Sequence, residues 1–501
     1  MSEDLTTTSS RQDESVWQGE LDSDRAYKLL IDGEYVDAED GRTFQCEYPA
    51  TGEKWGAAPL AGGGDVDRAV RAARGAFDGW SRTRPMERAR VLRKLADLLI
   101  RDAKNLALLQ VHENGKLLSE MAGTGHVMAG QAYYMAGLAE VSGGHTSMSN
   151  LPDTTSYTVR EPIGVVAAIT PWNSPLGLLG WKLFPALAAG NTIVCKPSEV
   201  TPLSTLRLGE LCQEAGIPAG VVNMVTGDGA TGAALAEHAL IDKIAFTGAT
   251  GTGQRIASQA ALRGVRVTLE LGGKSPNIVF DDADFDKAID GIIAGIFSAT
   301  GQTCIAGSRI LVQETVGEDF FRELAARVDA LRIGDPLDRA SQIAPLASRG
   351  HMRKVLDYFQ IAEQDGSETL VGGGRAEVAG LPEGFFVKPT LYTGVQNGFR
   401  IAQEEVFGPI GAIIRFKDED DAVRIANDTA FGLGGAVWTE NVRRAHRMIP
   451  RIRAGTVWVN QYRIAEHSRP FGGYKNSGIG REMGLHALDP YTEEKSVFIA
   501  H

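Results

Sequence analysis

Apolar positions in the first third of the chain recur with helical spacing. Between residues 65 and 80 they fall three and four positions apart on one face, with charged residues opposite. The same spacing continues over residues 86–109. The pattern therefore predicts two amphipathic helices. Ahead of them, residues 29–36 predict a β-hairpin that turns at Asp32 and Gly33.

The pattern changes at Gly164, where short β-rich runs begin to alternate with helical stretches. The runs are "GVVAAIT", "NTIVCKP", "GVVNMVTG", "KIAFTG" and "RVTLELGG". Nearly continuous apolar strands separated by helices are typical of a parallel, doubly wound sheet. A second alternating block, from Phe280 to about Asn460, predicts a second α/β unit.

Two segments outside these blocks predict an arm that reaches another subunit. Residues 145–162 are polar and strand-prone, and the C-terminal tail "EEKSVFIAH" has a similar character. Residues 1–25 are polar and carry no periodic pattern, which favours a flexible N-terminal arm.

Composition narrows the class of protein. A length of 501 residues favours about three domains. The net charge of −12 is spread without a long run, which gives no support for nucleic acid or membrane partners. No signal peptide is visible at the N-terminus. The cysteines form no CxxC pair and the histidines no HExxH motif, so we expect a cytoplasmic protein without a metal site.

Two glycine-rich loops are candidates for binding a nucleotide. "GDGATG" contains Gly227, Gly229 and Gly232 and matches G-x-G-x-x-G between a strand and a helix. No acidic residue ends the following strand, however, and a chain with 59 glycines makes a chance match plausible. The loop "FTGATGTG" also joins a strand to a helix and offers free backbone amides. The sequence alone does not rank the two loops.

Cys304 lies in the polar joint "SATGQTCIAGSR" between two apolar runs. A structural cysteine more often lies inside such a run, so Cys304 is a candidate nucleophile, although a small apolar residue at a joint is the simpler interpretation. The predicted helix 285–297 ends before it, so that helix dipole does not stabilise a thiolate. Activation of the thiol requires a base or a cation from elsewhere in the chain.

Other candidate groups each have a structural alternative. Glu270 is a carboxylate in an apolar strand, suited to general-base chemistry if buried and otherwise an exposed strand position. Asn173 in "PWNSP" is a candidate oxyanion donor or part of a helix start. Lys196 and Glu199 in "CKPSE" lie at the end of a predicted strand, close to another helix start.

The order of motifs resembles the aldehyde dehydrogenase superfamily from about residue 25 to residue 500. The stretches that carry the resemblance are "PWNSP", "WKLFPALAAGNTIVCKPSE", "FTGATGTG", "LELGGKSPNIVFDDAD", "GQTCIAGSR", "EEVFGP", "GTVWVN" and "PFGGYKNSGIGRE". They occur in the order of the family, and the interval between Glu270 and Cys304 also fits.

The resemblance implies a reaction. Cys304 would attack the aldehyde carbonyl to give a thiohemiacetal, with the side chain of Asn173 and the backbone N–H of Cys304 stabilising the oxyanion. Hydride transfer to a nicotinamide would leave a thioester. Glu270 would activate the water that hydrolyses it, and Lys182 and Glu482 match positions thought to relay protons or to order the site.

The resemblance also implies a cofactor site. Lys196 and Glu199 would bind the adenosine ribose, and Glu405 would hold the nicotinamide ribose. Glu199 would repel a 2′-phosphate, so NAD is expected and NADP is the alternative. The implied cofactor residues are Thr170, Pro171, Trp172, Lys196, Ser198, Glu199, Gly229, Phe246, Thr247, Gly248, Gly253, Leu271, Glu405 and Phe407. Ala249 departs from the family, because many members carry a pyrophosphate-binding serine there; Thr250 or water is the expected substitute.

The implied substrate tunnel is largely apolar and aromatic. Its residues are Leu178, Trp181, Phe297, Tyr462 and Phe471. Succinic semialdehyde dehydrogenases often carry arginine where Trp181 stands, so that substrate is not expected. Arg463 and His467 are candidates for contacting a distal polar group, or they belong to a solvated loop. We expect a small aldehyde substrate of the medium aliphatic or aromatic class.

Two rival functions differ in testable features. Dehydrogenases that transfer the acyl group to coenzyme A usually lack a glutamate at the position of Glu270, so its presence favours hydrolysis. A non-catalytic structural protein on the same fold would be expected to lose Cys304, Glu270 or Asn173, and all three are present.

The resemblance further implies a domain organisation. It divides the chain into an NAD-binding domain (26–143 and 163–271), a catalytic domain (272–475) and an oligomerisation arm (144–162 and 485–501). A homodimer or homotetramer is expected.

Overall fold

A computed structural model describes residue 21 and residues 25–501. The predicted flexible arm over residues 1–25 therefore falls almost wholly outside the described residues. The helices are α1 (Gly63–Ser81), α2 (Pro85–Arg101), α3 (Ala103–Asn114), α4 (Leu118–Met121), α5 (Thr124–Val141), α6 (Pro175–Ala189), α7 (Leu203–Ala215), α8 (Gly229–Glu237), α9 (Thr250–Ala261), α10 (Phe285–Phe297), α11 (Glu318–Asp329), α12 (Arg349–Gln364), α13 (Arg400–Gln403), α14 (Glu419–Asn427) and α15 (Val442–Met448).

The strands form four sheets. They are β1 (Leu29–Ile31), β2 (Glu34–Val36), β3 (Thr43–Tyr48), β4 (Glu53–Pro59), β5 (Thr146–Ser147), β6 (Thr154–Pro162), β7 (Val165–Ile169), β8 (Thr192–Lys196), β9 (Val222–Met224), β10 (Lys243–Thr247), β11 (Arg266–Glu270), β12 (Pro276–Val279), β13 (Arg309–Gln313), β14 (Glu368–Val371), β15 (Thr390–Thr393), β16 (Ile410–Phe416), β17 (Gly434–Trp438), β18 (Thr456–Val459), β19 (Gly478–Ile479) and β20 (Thr492–Ala500).

The first sheet has the order β19-β11-β10-β7-β8-β9-β1-β2. Its five central strands run parallel and are almost entirely buried, as the continuous apolar runs predict. One apolar cluster packs α2, α5, α6 and α7 on one face, and a second packs α1, α8 and α9 on the other. The predicted doubly wound fold is confirmed for this half of the chain.

The second sheet has the order β14-β15-β16-β13-β12-β17-β18. Apart from the edge strand β14, all its strands are parallel. Helices α12 and α14 contribute to the core on one face, and α10 and α11 to the core on the other. Only five residues (271–275) separate β11 of the first sheet from β12 of the second. The segment 271–275 therefore joins the two sheets directly. It begins after Glu270, the last residue of β11, and ends where β12 begins.

The predicted arm segments form a sheet of their own. β20 pairs with β6 antiparallel over nine residues, and β5 extends the pair. Most of its side chains are exposed or half-buried. The small sheet thus projects from the two large ones.

Two local expectations have different outcomes. The hairpin at 29–36 is confirmed, since Asp32 and Gly33 both adopt positive φ between β1 and β2. The single helix expected over residues 86–109 is wrong, because α2 ends at Arg101 and α3 begins at Ala103. Asp102 breaks the helix, and its carboxylate accepts two hydrogen bonds from Arg207, at 2.7 and 2.9 Å.

Across the described residues no helix has the length and apolar character of a membrane span.

Candidate active site

Cys304 lies in the irregular segment between α10 and β13. A short 3-10 turn, Ser298–Gly301, leads into it, and within this turn Ala299 and Thr300 have φ values of 53° and 55°. Non-glycine residues rarely adopt such angles, and they persist where the surrounding structure holds them. The joint predicted around Cys304 is therefore a rigid, shaped segment. Gly273 fixes its distance from the first sheet, because a Cβ there would clash with the Cys304 carbonyl oxygen.

The Cys304 thiol is strongly protonated in the free protein. Burial, and to a smaller extent the carboxylates of Glu405 and Glu270, raise its pKa to about 12, although Arg463 acts in the opposite direction. A thiolate has little population at neutral pH under these conditions. The nucleophile therefore has to lose its proton as it attacks.

Two N–H donors belong to residues that line the cavity, Asn173 and Cys304 itself. Asn173 is buried in the loop between β7 and α6, and its Nδ2 donates to the Gln302 carbonyl at 3.0 Å. This bond uses one of the two amide hydrogens and fixes the orientation of the other. The backbone N–H of Cys304 faces its own sulfur and lowers the thiol pKa slightly against the effect of burial. The pair has the donor chemistry of an oxyanion hole.

Glu270 is the last residue of β11 and lies in the same cavity as Cys304. Its side chain is buried, which raises its pKa well above the usual range, and nearby Glu482 raises it further. Its Oε2 is buried and has no protein hydrogen-bond partner among the described residues. A buried carboxyl with one free oxygen is suited to hold a water molecule and to accept its proton.

Lys182 and Glu482 form a buried ion pair, with Nζ and Oε1 2.7 Å apart. The lysine also donates to the Thr247 hydroxyl at 2.7 Å. Glu482 Oε2 is buried and has no protein partner within the described residues, as is true of Glu270 Oε2. Both members of the pair act on the pKa of Glu270: Glu482 raises it and Lys182 lowers it.

One cavity of about 200 Å³ joins these groups to the carboxyl edge of the first sheet. Of the sequence-predicted residues, it is lined by the following: Pro171, Trp172, Asn173, Leu178, Thr247, Gly248, Glu270, Leu271, Cys304, Glu405 and Phe407. Residues from distant parts of the sequence therefore meet in one space. Ala249, Gly272, His351 and Lys354 complete the lining.

The structure separates the two glycine-rich loops. At the start of α8, the Asp228 carboxylate accepts hydrogen bonds from the N–H groups of Ala230 and Thr231, so this helix end already carries an anion. At the start of α9 no side chain caps the helix, and Gly248 and Ala249 line the cavity. The Thr250 hydroxyl accepts a hydrogen bond from Gly272 N at 3.3 Å, which leaves its own O–H hydrogen able to donate to a ligand. Only the "FTGATGTG" loop has a helix N-terminus open to a phosphate.

The other predicted cofactor residues line the same sheet edge. Lys196 ends β8, its Nζ lies 3.8 Å from Glu199 Oε2, and Ser198 donates to the same carboxylate. Gly229 opens α8 and faces open space on the side where a Cβ would stand. The remaining members lie near the ends of β7 and β10: Thr170 follows β7, Phe246 is the last residue but one of β10, and Gly253 lies in the first turn of α9.

Glu405 and Phe407 approach from the second sheet. Glu405 Oε1 accepts from Gly273 N at 2.9 Å. Trp172 packs edge-on against Phe407, with ring centroids 5.3 Å apart, and also against His351. The His351 ring bonds to the Phe407 carbonyl at 2.7 Å, and burial lowers its pKa to about 4. Sequence reasoning missed His351, because it lies on α12 with no motif around it.

The predicted tunnel residues divide into two groups. Trp181 and Phe471 pack together, 4.9 Å between ring centroids, in a small apolar cluster that includes Cys304. Tyr462 donates to the Ile305 carbonyl at 2.9 Å and packs against Trp458. Phe297 ends α10 with 1% of its surface exposed and, like Tyr462, belongs to the core of the second sheet. Of the five predicted tunnel residues, Leu178 alone lines the described cavity.

Comparison with known proteins identifies the family. The model of the aldehyde dehydrogenase family matches residues 35–497. Betaine aldehyde dehydrogenase of Bacillus subtilis is 42% identical over 473 residues, which cover 94% of this chain and 96% of that protein. An aldehyde dehydrogenase of Aspergillus niger is 45% identical, with 94% of each chain covered.

A solved structure gives the same result. Betaine aldehyde dehydrogenase from Staphylococcus aureus, crystallised in complex with NAD+, superposes with a TM-score of 0.93 at 39% identity, covering 94% of each chain. The chain therefore belongs to the aldehyde dehydrogenase family. It is an oxidoreductase that acts on aldehydes, and the predicted resemblance and fold class are confirmed.

Proposed function

We propose that the protein oxidises an aldehyde to its carboxylic acid with NAD, through a covalent intermediate on Cys304. The observation that carries the proposal is the shared cavity in which Cys304, Asn173 and Glu270 meet. As Cys304 Sγ bonds to the carbonyl carbon, the thiol proton passes to solvent and a thiohemiacetal forms as an oxyanion. The developing oxyanion is placed against the free hydrogen of Asn173 Nδ2 and the N–H of Cys304.

The second half of the reaction uses Glu270. Bound NAD supplies the hydride acceptor, and a thioester remains on Cys304. Glu270, with its free Oε2, takes a proton from the water that attacks this thioester, and the acid is released. Lys182 and Glu482 form a buried ion pair that acts electrostatically on Glu270, and they pass that proton on or keep the site ordered. Hydrolysis is favoured over transfer to coenzyme A, because a buried general base is present.

The cofactor fits the observed edge of the first sheet. The pyrophosphate would meet the uncapped N-terminus of α9, while Lys196 and Glu199 reach the adenosine ribose. The exposed Glu199 carboxylate opposes a 2′-phosphate, so NAD is preferred to NADP. Glu405 and Phe407, which line the same cavity as Cys304, would hold the nicotinamide end. The set of contacts suits an extended dinucleotide.

The substrate is a small aldehyde of medium length. Leu178, Trp181 and Phe471 supply apolar surface beside Cys304 and fit an aliphatic or aromatic stem.

The small sheet of β5, β6 and β20 would join subunits in a homodimer or homotetramer. It presents exposed apolar side chains that include Met148 and Phe498, 97% and 66% exposed. The four unpaired cysteines fit the reducing cytoplasm. The domain boundaries proposed from the sequence place this sheet outside the cofactor and catalytic units.

The test is an NADH absorbance assay with a panel of aldehydes, run with NAD and with NADP. Steady turnover with NAD, with the acid as product and no requirement for coenzyme A, is the expected result. Binding of NAD without turnover of any aldehyde would contradict the proposal and favour a structural protein on this fold.

A further inference from the structure

The end of α3 contacts two loops of the proposed site without lining its cavity. Glu113, Asn114 and Lys116 lie here, and they are 0%, 1% and 6% exposed. Gly115 terminates the helix with a φ of 74°, a conformation that glycine adopts readily. The segment thus places three polar side chains in the interior of the protein, where each requires hydrogen-bond partners.

Glu113 holds the start of α7. Its Oε1 accepts hydrogen bonds from Leu203 N and from Ser204 N, the latter at 3.1 Å, and its Oε2 lies 3.2 Å from Ser204 N. No side chain at the N-cap of α7 satisfies these N–H groups, so a carboxyl from another helix replaces the cap. The loop 197–202, which carries Glu199, runs from β8 to this helix start. Glu113 therefore fixes the far end of the loop that is proposed to reach the adenosine ribose.

The residues on either side of Asn173 are both held by the same segment. Asn114 Nδ2 donates to the Trp172 carbonyl at 3.4 Å, and Lys116 Nζ donates to the Ser174 hydroxyl at 3.1 Å. Ser174 is the N-cap residue of α6, yet its side chain makes no capping bond to that helix. Its hydroxyl is engaged by Lys116 instead. The end of α3 thus fixes the main chain that carries Asn173.

Both contacts affect distances on which the reaction depends. An oxyanion donor is effective when it lies about 3 Å from the developing charge, and a displacement of about 1 Å can cost up to about 10²-fold in rate. The bond from Asn173 to the Gln302 carbonyl orients the side chain of Asn173 only. The position of its backbone depends on the neighbours that Asn114 and Lys116 hold.

We propose that the end of α3 positions both loops, so that Lys116 sets the aim of Asn173 and Glu113 sets the affinity for the adenosine end of NAD. The two loops follow the neighbouring parallel strands β7 and β8, and α3 packs in the same apolar cluster as α6 and α7. Glu113 and Lys116 are positioning residues, because neither lines the cavity. This inference rests on the proposed function and adds the residues that support its site.

The first test removes the support of the adenosine loop. Glu113→Ala should raise KM for NAD about tenfold and leave kcat within about threefold, whereas Glu113→Gln retains an acceptor oxygen and should recover most of the affinity. In a Glu199→Ala background, Glu113→Ala should raise KM by no more than about threefold, because both act through one loop. Asp284→Ala is the matched control. It removes a capping carboxylate from α10, which accepts from Lys287 N at 3.2 Å, and should leave KM unchanged.

The second test separates the two loops. Lys116→Met should leave the Kd of NAD unchanged in a calorimetric titration and lower the rate of NADH formation in the first turnover about tenfold at saturating NAD. Ser174→Ala should have the same effect without the loss of a helix cap. The double variant should be no slower than either single variant, since both changes break one contact. Additive effects on the rate would contradict the proposal.

A measurement on the wild-type enzyme covers the case in which a variant does not fold. NAD should slow hydrogen–deuterium exchange across residues 113–116 and at the start of α7, although neither segment lines the cavity. Exchange in α11, which packs on the second sheet, should not change. Turnover with no protection of residues 113–116, or with a normal KM in Glu113→Ala, would overturn the inference and leave the proposed function standing. If no aldehyde is oxidised although NAD binds, both fail.

Discussion

The two parallel sheets supply the site from opposite ends of their strands. In the first sheet the contributing residues follow the strands: Asn173 comes after β7, Thr247 ends β10 and Glu270 ends β11. In the second sheet they precede the strands: Cys304 comes before β13 and Phe407 before β16. The carboxyl edge of one sheet thus faces the amino edge of the other across the cavity.

This difference separates the chemistry of the two edges. The first edge carries the open N-terminus of α9 and the residues proposed as base and oxyanion donor, as expected for ligand sites in doubly wound sheets. The second edge carries the proposed nucleophile and the residues proposed to contact the nicotinamide. The segment 271–275 joins the two edges directly, and Gly273 packs against the Cys304 carbonyl. Neither edge alone therefore holds all the groups of the proposed site.

Removal of the nucleophile is the most severe way to break this division. Cys304→Ala should lower kcat by more than about 10⁴-fold, because no other group at the second edge can form the thioester. NAD binding, measured by titration calorimetry, should change little. Cys212→Ala, a buried cysteine of α7, is the control and should retain turnover while losing about 1 kcal/mol of stability. A Cys304→Ala enzyme with normal turnover would refute the assignment.

Glu270→Gln tests the first edge and should lower kcat by about 10² to 10⁴-fold. The first NADH should still form in a burst of one equivalent per site, because the base is needed for the later hydrolysis. Only the ionised carboxyl accepts a proton, and its pKa is raised by burial, so the wild-type hydrolysis rate should rise with pH. Rapid-mixing absorbance across pH measures both effects. Loss of the burst itself would show that Glu270 acts earlier.

The first edge could be predicted from the sequence more fully than the second. Its strands are continuous apolar runs, and the residues after them, such as Thr247 and Glu270, are fixed by where each run ends. Cys304 is identifiable because a polar joint interrupts two apolar runs. Its neighbours at the second edge, Glu405 and Phe407, by contrast, follow only from the family resemblance.

Residues that act through tertiary packing leave no local signal. His351 lies on a helix whose periodicity reports only its buried face, yet its ring reaches the Phe407 carbonyl. The sequence does not rank the two glycine-rich loops, which the structure separates by the capping of α8 by Asp228 and by the cavity that Gly248 and Ala249 line. Phe297 shows the converse, because the family resemblance implies a place in the tunnel, whereas at the end of α10 its side chain lies in the core.

A smaller effect sharpens the comparison between the edges. Glu199→Gln at the first edge removes the charge that opposes a 2′-phosphate, so kcat/KM with NADP should rise about tenfold, while kcat with NAD stays within about threefold.

Glu405→Gln at the second edge should instead lower kcat with NAD about threefold to tenfold and leave the NADP to NAD ratio nearly unchanged. Its carboxylate holds Gly273 N beside Cys304, so it affects the reacting end of the cofactor. Glu404→Gln, one residue away and paired with Arg400, is the matched control. If the two effects were exchanged, the cofactor would lie across the cavity in the opposite direction.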